Sequence, residues 1–315
     1  MKEPAPSTLA EVPCGLCGSD RRRQFLVAED DLTGKPGRFT FVRCDDCGFA
    51  FQSPRLGVEE VKSYYDDEYI AHRKKRDWGP LNIFVQRAMD RLDRNKVEIV
   101  RRYAALDGSS AVLDVGCGAG TFLAKVRSVS GAAVAGVDFI DLGHLPSFKD
   151  IEFHCGLFYE VEIGRDRFDL ISMWHFLEHD YDPGRSLLQA RAALKPGGRL
   201  VIEVPRLDSL SYRLYGDRWP GLQAPQHTVL YTKETLLRQI GKAGLEVVDY
   251  LPYGAYPAYF YLFAGAAFTL RKGRGLDLGK VVLPYLLGQA LLSPALLFER
   301  RLNLSMQTVV CRRPS

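Results

Sequence analysis

The sequence has little of several features that would identify a protein class directly. Its 315 residues carry a net charge of only +4 at pH 7, which is too small to argue by itself for a nucleic-acid partner. Residues 1–12 are polar and rich in proline, with no apolar core, so we expect no secretory leader. The composition is that of an ordinary globular protein, which excludes wholesale disorder. A chain of this length usually forms one large or two modest domains.

The cysteines are too few and too unevenly placed for a disulfide framework, and their arrangement favours a metal. Four of the seven cysteines form two copies of Cys-x-x-Cys-Gly and the others are scattered, which suits a reducing compartment. Two such turns supply a closed tetrahedral site of the kind that Zn²⁺ prefers. Residues 23–42 between them alternate apolar and polar around a glycine-containing turn, which predicts a β-hairpin as in a zinc ribbon. The predicted structural zinc ligands are Cys14, Cys17, Cys44 and Cys47, with a redox dithiol or four unrelated buried thiols as alternatives.

The most informative stretch that is present covers residues 112–120. An apolar run with one acid, Asp114, ends there in glycines spaced Gly-x-Gly-x-Gly. This predicts a buried strand, a tight turn whose backbone can lie against a ligand, and the first turn of a helix. The next apolar run, 132–137, leads into Asp138, at the spacing where a carboxylate can accept hydrogen bonds from a ribose. Because Asp114 disfavours a diphosphate and favours an ammonium or sulfonium, a nucleoside-bearing cationic cofactor is indicated.

These residues resemble motif I of the class I S-adenosylmethionine-dependent methyltransferases, D/E-x-G-x-G-x-G. Residues 168–179 are similar to the fourth strand and Leu-Glu-His segment of the same enzymes. Residues 194–205 are similar to their Pro-Gly-Gly turn and fifth strand. The resemblance implies an α/β fold, a Rossmann-like, seven-stranded, doubly wound sheet whose last strand is antiparallel. It also implies S-adenosylmethionine as the cofactor, with these binding residues: Asp114, Gly116, Gly118, Gly120, Asp138, Leu157 and Trp174.

Two further features bear on the cofactor. Many relatives carry an acid near the adenine, but residues 153–158 have none, so we expect Leu157 and Phe158 to pack against that ring. Ahead of the glycine turn, a tyrosine-bearing segment precedes an amphipathic helix, as in similar enzymes where it closes over the cofactor. Either one of its tyrosines bounds the methionine moiety, or all of them pack in the core. These tyrosines are Tyr64, Tyr65 and Tyr69.

Methyl transfer is a direct displacement that needs an aligned nucleophile. It also needs a base when the acceptor is a hydroxyl or an acidic carbon. Polar candidates follow the predicted fourth strand and recur in a later Trp…Pro-x-His loop: His175, Glu178, His179 and His227. We predict His227 or His179 as the base. Packing at the start of a helix is the alternative role of Glu178 and His179.

Two long uncharged runs, 251–270 and 281–298, precede the predicted last strand at 306–311. Each approaches the roughly 20 residues that a membrane-spanning helix needs, but prolines interrupt both. A double crossing would also place basic residues on the wrong side. We therefore expect a helical hairpin that lies on or dips into the cytoplasmic membrane interface. A lid over an apolar substrate and a dimer interface are the alternatives.

The sequence thus predicts four parts of a cytoplasmic protein, associated with the cytoplasmic face of the membrane if the hairpin binds lipid. Residues 1–60 form the zinc ribbon and residues 61–108 a helical lid or linker. Residues 109–252 and 303–315 form the S-adenosylmethionine-binding Rossmann domain, and residues 253–302 form the apolar helical insertion. The oligomeric state is left open.

The predicted function is methyl transfer to a small-molecule, sugar or lipid-linked acceptor. One alternative is an RNA base methyltransferase, which the surplus of basic residues in 73–102 favours. The apolar insertion and the lack of an Asn/Asp-Pro-Pro-aromatic tetrapeptide argue against it, and we do not expect a nucleic-acid partner. The other alternative is a non-catalytic scaffold, against which the intact glycine turn and Asp138 speak.

Overall fold

The computed structural model of the chain describes residues 9–31, 34–65, 82–270, 283–290 and 301–315. Some predictions fall outside the described residues. These are the role of Tyr69, the first part of the basic stretch at 73–81, and much of the apolar insertion, 271–282 and 291–300.

The amino-terminal part forms a ribbon that takes up a strand from far along the chain. Its own antiparallel strands are β1 (Arg22–Ala28), β2 (Phe39–Cys44) and β3 (Ala50–Gln52), and β1 and β2 form the predicted hairpin. Strand β3 pairs antiparallel with β9 (Val229–Leu230). The ribbon sheet therefore crosses the predicted boundary at residue 60, because its fourth strand comes from the part of the chain expected to belong to the Rossmann domain.

The main sheet confirms the predicted fold class. Its strands are β4 (Ala111–Val115), β5 (Ala133–Asp138), β6 (Glu152–Cys155), β7 (Phe168–Trp174), β8 (Leu194–Pro205), β10 (Glu246–Leu251) and β11 (Met306–Arg312). They lie in the order β10-β11-β8-β7-β4-β5-β6. Strands β4 to β8 pair in parallel, and β11 is antiparallel to both of its neighbours. Strand β8 begins before the predicted Pro-Gly-Gly turn, and its pairing with β7 skips from Leu194 to Arg199 there.

The central strands read as continuous apolar runs because both faces of a parallel sheet are covered. Leu113 and Val115 of β4, and Ile171 and Met173 of β7, are fully buried. Each such side chain contributes about 1.5–3 kcal/mol to folding through removal of apolar surface from water. The only polar residue of the described β4 segment, Asp114, is buried as well, and this marks it as a residue kept for something other than packing.

The helices follow local sequence signals. They are α1 (Val58–Val61), α2 (Asn82–Arg101), α3 (Thr121–Ser130), α4 (Pro183–Ala193), α5 (Leu210–Tyr215), α6 (Lys233–Lys242), α7 (Ala258–Leu270) and a helical stretch at 283–290. Thr232 caps α6 by accepting the Thr235 N–H, as predicted. Gly244, with φ of +71°, follows its end.

Residues 258–270 and 283–290 of the apolar insertion are helical, and they pack on the main domain and on each other. The Tyr215 hydroxyl of α5 donates to the Leu262 carbonyl of α7 at 2.7 Å, and Gly265 leaves no room for a Cβ against the Tyr215 ring. Tyr259 of α7 donates its hydroxyl to the Tyr285 carbonyl at 3.1 Å. Within the described ranges, no helix combines the length and the apolar character needed to span a membrane.

Candidate functional site

A cleft of about 380 Å³ opens at the carboxyl ends of β4, β5 and β7. In open α/β sheets ligands bind at this edge, where neighbouring strands connect in opposite directions. Most of the predicted site residues line this cleft: Asp114, Gly116, Gly118, Asp138, Leu157, Trp174, His175, His179 and His227. Gly120 lies behind the turn, where a Cβ would meet the Phe148 ring at 3.0 Å. Glu178 is buried next to His179 and His227 and is not among the residues that line the cleft.

The glycine turn after β4 has the geometry of a cradle. Gly116 and Gly118 have φ of +72° and +50°, values that side chains other than glycine rarely adopt. A Cβ on Gly118 would meet no described atom within 4 Å, so it would project into the cleft. The Gly118 N–H donates to Asp138 Oδ2 at 3.0 Å, and the Ile140 N–H donates to Oδ1 at 3.1 Å. These two bonds hold the Asp138 carboxylate at the mouth of the turn, and its contact with a ribose stays a prediction.

Asp114 is a buried acid at the floor of the cleft, and it accepts a hydrogen bond from the Ser172 hydroxyl at 2.6 Å. Burial raises the pKa of Asp114 to about 7, although Lys96 and Ser172 act to lower it. The carboxyl group is therefore close to half ionised at neutral pH. A cationic ligand in the cleft would favour its ionised form.

Trp174 and Leu157 provide apolar surface on either side of this floor. Trp174 is almost fully buried and packs edge-on against Phe122, with ring centroids 5.6 Å apart. Its indole Nε1 has no hydrogen-bond partner among the described residues, so a donor is available to a ligand. Leu157 and Phe158 line the cleft beyond β6, in the place expected for an adenine ring.

His175 lies between two buried carboxylates. Its Nδ1 is 3.2 Å from Glu178 Oε1, and its Nε2 is 3.2 Å from Glu203 Oε1. Burial lowers the pKa of His175, but the two carboxylates outweigh this and raise it to about 9. An imidazole that is charged at pH 7 suits charge compensation better than proton abstraction.

Glu203 is a buried acid beside the cleft that the sequence reasoning missed. It is fully buried in β8 and accepts the backbone N–H groups of Ala255 at 2.6 Å and Tyr256 at 3.1 Å. Burial raises the pKa of Glu203, but His175 and the two N–H donors more than offset this and keep it below its ordinary value. Glu203 thus connects His175 to the segment that leads into α7. Its signal in the sequence was a lone acid inside an apolar strand.

The two histidines predicted as bases lie together. The rings of His179 and His227 are perpendicular, with centroids 4.4 Å apart. His179 Nδ1 is 2.8 Å from the Tyr65 hydroxyl and 3.1 Å from the Gln226 carbonyl. Burial lowers the pKa of both histidines, so both are neutral at pH 7. Of the two described tyrosines of the predicted lid segment, Tyr65 lines the cleft, whereas Tyr64 donates to the Pro36 carbonyl.

Gln52 holds the loop that carries His227 against the ribbon, and the sequence analysis did not single it out. Its buried side-chain amide donates to the Pro225 carbonyl at 3.0 Å and to the His227 carbonyl at 2.6 Å. Its backbone N–H donates to the Thr228 carbonyl at 2.8 Å. The position of His227 therefore depends on a strand of the ribbon.

The acceptor side of the cleft is largely apolar. Helix α7 and the loop before it contribute Tyr256, Phe260, Tyr261, Ala264 and Phe268, and the Trp…Pro-x-His loop contributes Trp219 and Leu222. The only acids on this side that come from the ribbon's described residues are Glu29 and Asp31, and Asp31 pairs with Arg218 at 2.9 Å. The cleft thus has a polar end and an aromatic end.

Two groups of side chains in the described part of the chain could hold a metal ion. The four ribbon cysteines have Sγ atoms within 4.8 Å of one another, and the Cys14–Cys47 and Cys17–Cys44 pairs are 3.5 Å apart. Thiolates at about 2.3 Å from one tetrahedral Zn²⁺ lie about 3.8 Å apart, so the cysteines fit the predicted closed site. The second group is Glu178, His179 and His227, whose ligand atoms also lie within 4.8 Å.

Comparisons with known proteins point to one family. The family model described as "Methyltransferase domain" matches residues 84–250. A ubiquinone biosynthesis O-methyltransferase of Nitrobacter winogradskyi is 30% identical over 161 residues, 45% of this chain and 61% of that protein. A ubiquinone biosynthesis O-methyltransferase of Coxiella burnetii is 35% identical over 115 residues, which cover 33% of this chain and 47% of that protein. The chain spans about half the length of these curated relatives.

Among solved structures, geranyl diphosphate C-methyltransferase of Streptomyces coelicolor, in complex with Mg²⁺, geranyl diphosphate and S-adenosyl-L-homocysteine, resembles the chain with a TM-score of 0.50. The sequence identity is 12%, and the match covers 79% of this chain and 87% of that one. At this identity the likeness supports the fold alone. The family match includes all of the predicted cofactor residues and ends before α7.

Proposed function

Because the chain belongs to the methyltransferase-domain family, as the resemblance to the class I enzymes implied, we propose that the whole protein transfers a methyl group from S-adenosylmethionine to an oxygen of a small-molecule acceptor with an apolar portion. One observation carries the proposal. A single cleft joins the glycine turn, the His179–His227 pair and the aromatic surface of α7.

The reaction requires that the site align the two reactants and deal with the acceptor proton. The acceptor oxygen forms a bond to the methyl carbon while the carbon–sulfur bond breaks, its electron pair stays on sulfur, and S-adenosylhomocysteine leaves. Alignment of the two reactants removes part of the barrier. The hydroxyl proton has to be taken up or displaced. His179 and His227 line the cleft beside the acceptor side, and Glu178 lies next to them.

The apolar portion of the acceptor is supported by the lining of the cleft. Sugars need several converging polar partners, whereas the α7 side offers the aromatic residues Phe260 and Phe268. RNA needs a basic approach to its phosphates, whereas the ribbon presents Glu29 and Asp31. The names of the curated relatives, ubiquinone biosynthesis O-methyltransferases, agree with an oxygen acceptor on a partly apolar molecule.

We also propose that Cys14, Cys17, Cys44 and Cys47 hold one structural Zn²⁺. Four protein ligands leave no open coordination position, so this ion would stabilise the ribbon and take no part in transfer. The apolar insertion would act as a lid, which is supported by the packing of α7 on Tyr215. Membrane contact of residues 253–302 stays a prediction, to be checked by pelleting with liposomes of anionic phospholipid. A cytoplasmic location stays a prediction as well.

The first test is calorimetric titration with S-adenosylmethionine and S-adenosylhomocysteine. We expect micromolar binding. The second step incubates the protein with methyl-labelled cofactor and three acceptor classes: hydroxylated aromatics with and without an alkyl tail, nucleotide sugars, and ribosomal RNA. We expect label in the tailed aromatics. Binding of neither cofactor form would favour the scaffold alternative, and label in RNA or in sugars would replace the proposed acceptor class.

A further inference from the structure

We propose that Glu178, His179 and His227 bind a divalent transition-metal cation beside the acceptor side of the cleft, separate from the ribbon cysteines. The role that we give the cation rests on the proposed function, whereas its binding does not. The three side chains come from the loop after β7 and from the loop before β9, and the fold brings them together.

The three side chains are close enough to share one ion after they move together. Their ligand atoms lie within 4.8 Å of one another. Nitrogen and oxygen ligands at about 2.0–2.2 Å from one tetrahedral ion lie about 3.3–3.6 Å apart. Side-chain rotations that shorten the longest separation by roughly 1 Å would therefore close the site around an ion.

Glu178 supplies an independent observation. Its side chain is 98% buried, yet neither carboxylate oxygen accepts a hydrogen bond from any described residue. His175 Nδ1 is its ion-pair partner at 3.2 Å, but His175 is shared with Glu203. Two buried carboxylates thus face one imidazole ring, and a buried carboxylate without sufficient partners is strongly unfavourable. A cation at Glu178 would balance this charge.

The histidines are oriented as metal ligands are. His227 Nδ1 lies 2.8 Å from the Gly221 carbonyl. His179 Nδ1 lies 3.1 Å from the Gln226 carbonyl and 2.8 Å from the Tyr65 hydroxyl. A carbonyl can only accept a hydrogen bond, so the tautomer that satisfies both carbonyls carries the proton on Nδ1 and leaves the lone pair of each Nε2 for an ion. A hydrogen bond from the second ring nitrogen to a carbonyl is the usual way in which a metal-bound histidine is fixed in one tautomer.

Two histidines and one carboxylate on one side of an ion leave coordination positions open, as in non-haem Fe²⁺ sites. Since His179 and His227 both line the cleft, an acceptor oxygen can reach those positions. The cation would lower the pKa of the acceptor hydroxyl, so that its proton leaves to solvent water before methyl transfer. Imidazole ligands favour Zn²⁺, Fe²⁺ or Co²⁺ over Mg²⁺.

The test is metal stoichiometry on the full-length protein. The protein is loaded with Zn²⁺ and, separately, with Co²⁺, freed of excess by gel filtration, and analysed by mass spectrometry for metal per chain. We expect two ions per chain in the wild type and one in Glu178→Gln and in His227→Asn. In the Co²⁺-loaded protein the ribbon ion gives thiolate-to-metal charge-transfer absorption. This absorption should be the same in the wild type and in both variants, because the ion that the variants lose has no thiolate ligand. His154→Asn is the matched control and should keep both ions, because it removes a histidine of the edge strand β6 that pairs with Glu152.

One ion per chain in the wild type would overturn the proposal. Two ions per chain in both Glu178→Gln and His227→Asn would overturn it as well. Circular dichroism of each variant shows whether it is folded, and His179→Asn replaces any variant that is not. Failure of the proposed function has a different signature, because S-adenosylmethionine would then fail to bind or to donate its methyl group while the metal count stayed at two.

Discussion

The Gln52 side-chain amide donates to the His227 carbonyl at 2.6 Å, although the two residues are 175 positions apart. The bond lies beside the pairing of β3 with β9, so the ribbon sheet and the acceptor loop form one unit. Gln52, which holds His227, lies outside the region 84–250 that matches the methyltransferase family model. The ribbon therefore takes part in shaping the site in addition to carrying the cysteines.

Replacing Gln52 with methionine is expected to slow methyl transfer about tenfold or more, with little change in S-adenosylmethionine affinity. Methionine keeps the volume but removes the donor to two carbonyls, and an unsatisfied buried group costs about 1–3 kcal/mol. Initial rates and calorimetry measure the two effects. Gln24→Met, on the exposed surface of β1, is the matched control. An unchanged rate in a folded Gln52→Met protein would show that the loop holds its position without the ribbon.

Asp138→Asn is expected to weaken binding of S-adenosylmethionine and S-adenosylhomocysteine alike, by about tenfold or more. Hydrogen bonds to a charged group contribute about 1.5–3 kcal/mol, and the carboxylate at the glycine turn would lose its charge. Asp141→Asn, three residues away in the exposed loop, should bind both ligands normally. Equal affinities of the wild type and Asp138→Asn would remove the ribose assignment.

Cofactor binding is expected to tighten as pH rises from about 6 to 8, because Asp114 has a pKa of about 7 in the folded protein. The groups that act on it are Lys96 and Asp93 of α2, Ser172 of β7 and Asp138 of β5. A cationic ligand favours the ionised carboxyl group, so binding releases a proton below pH 7. Calorimetry in two buffers of different ionisation enthalpy measures this release.

The same raised pKa has a consequence for stability. A carboxyl group whose pKa is higher in the folded protein binds its proton more tightly there, so the free energy of unfolding falls as pH rises from about 4 through 7. Asp114→Asn should remove this part of the pH dependence and the proton release. If the variant keeps both, another group is responsible for them.

Ala264→Phe is expected to raise the KM for a tailed acceptor at least tenfold and to leave cofactor affinity unchanged. Ala264 is buried and lines the acceptor side of the cleft from α7, and the added ring would fill the space that the apolar portion needs. Ala266→Phe, at a half-buried position on the same helix, controls for the added bulk. An unchanged KM for the tailed acceptor in the folded Ala264→Phe variant would place its apolar portion elsewhere.

Cys44→Ser is expected to lose the ribbon ion and to lower the thermal midpoint of unfolding. The Cys44 side chain is buried and lies 3.5 Å from Cys17 Sγ, and structural zinc contributes directly to folding. Metal analysis and thermal unfolding followed by circular dichroism measure both effects. Cys155→Ser, at an exposed cysteine, should change neither. Loss of one ion without a change in the midpoint would exclude a structural role.

Much of the fold and half of the site follow from short stretches of sequence. The turn glycines and Asp138 lie within about 20 residues of one another, so their spacing alone predicts that a parallel strand pair will bring them together. The two Cys-x-x-Cys turns likewise carry their ligand geometry locally, and Thr232 and Gly244 mark the ends of α6 by the hydrogen bonds and backbone angles that they favour.

Only the tertiary structure decided which distant residues meet at the acceptor side. Glu203 compensates His175 because β7 and β8 are neighbours in the sheet. Gln52 holds His227 because β9 pairs with the ribbon strand β3. A lone glutamate or glutamine in an apolar strand shows that a partner exists, since a buried polar group needs one. It does not say which residue the partner is, because strand order and loop paths are set by the packing of the whole chain. The cofactor end of the cleft was thus determined by local sequence, and the acceptor end by long-range contacts.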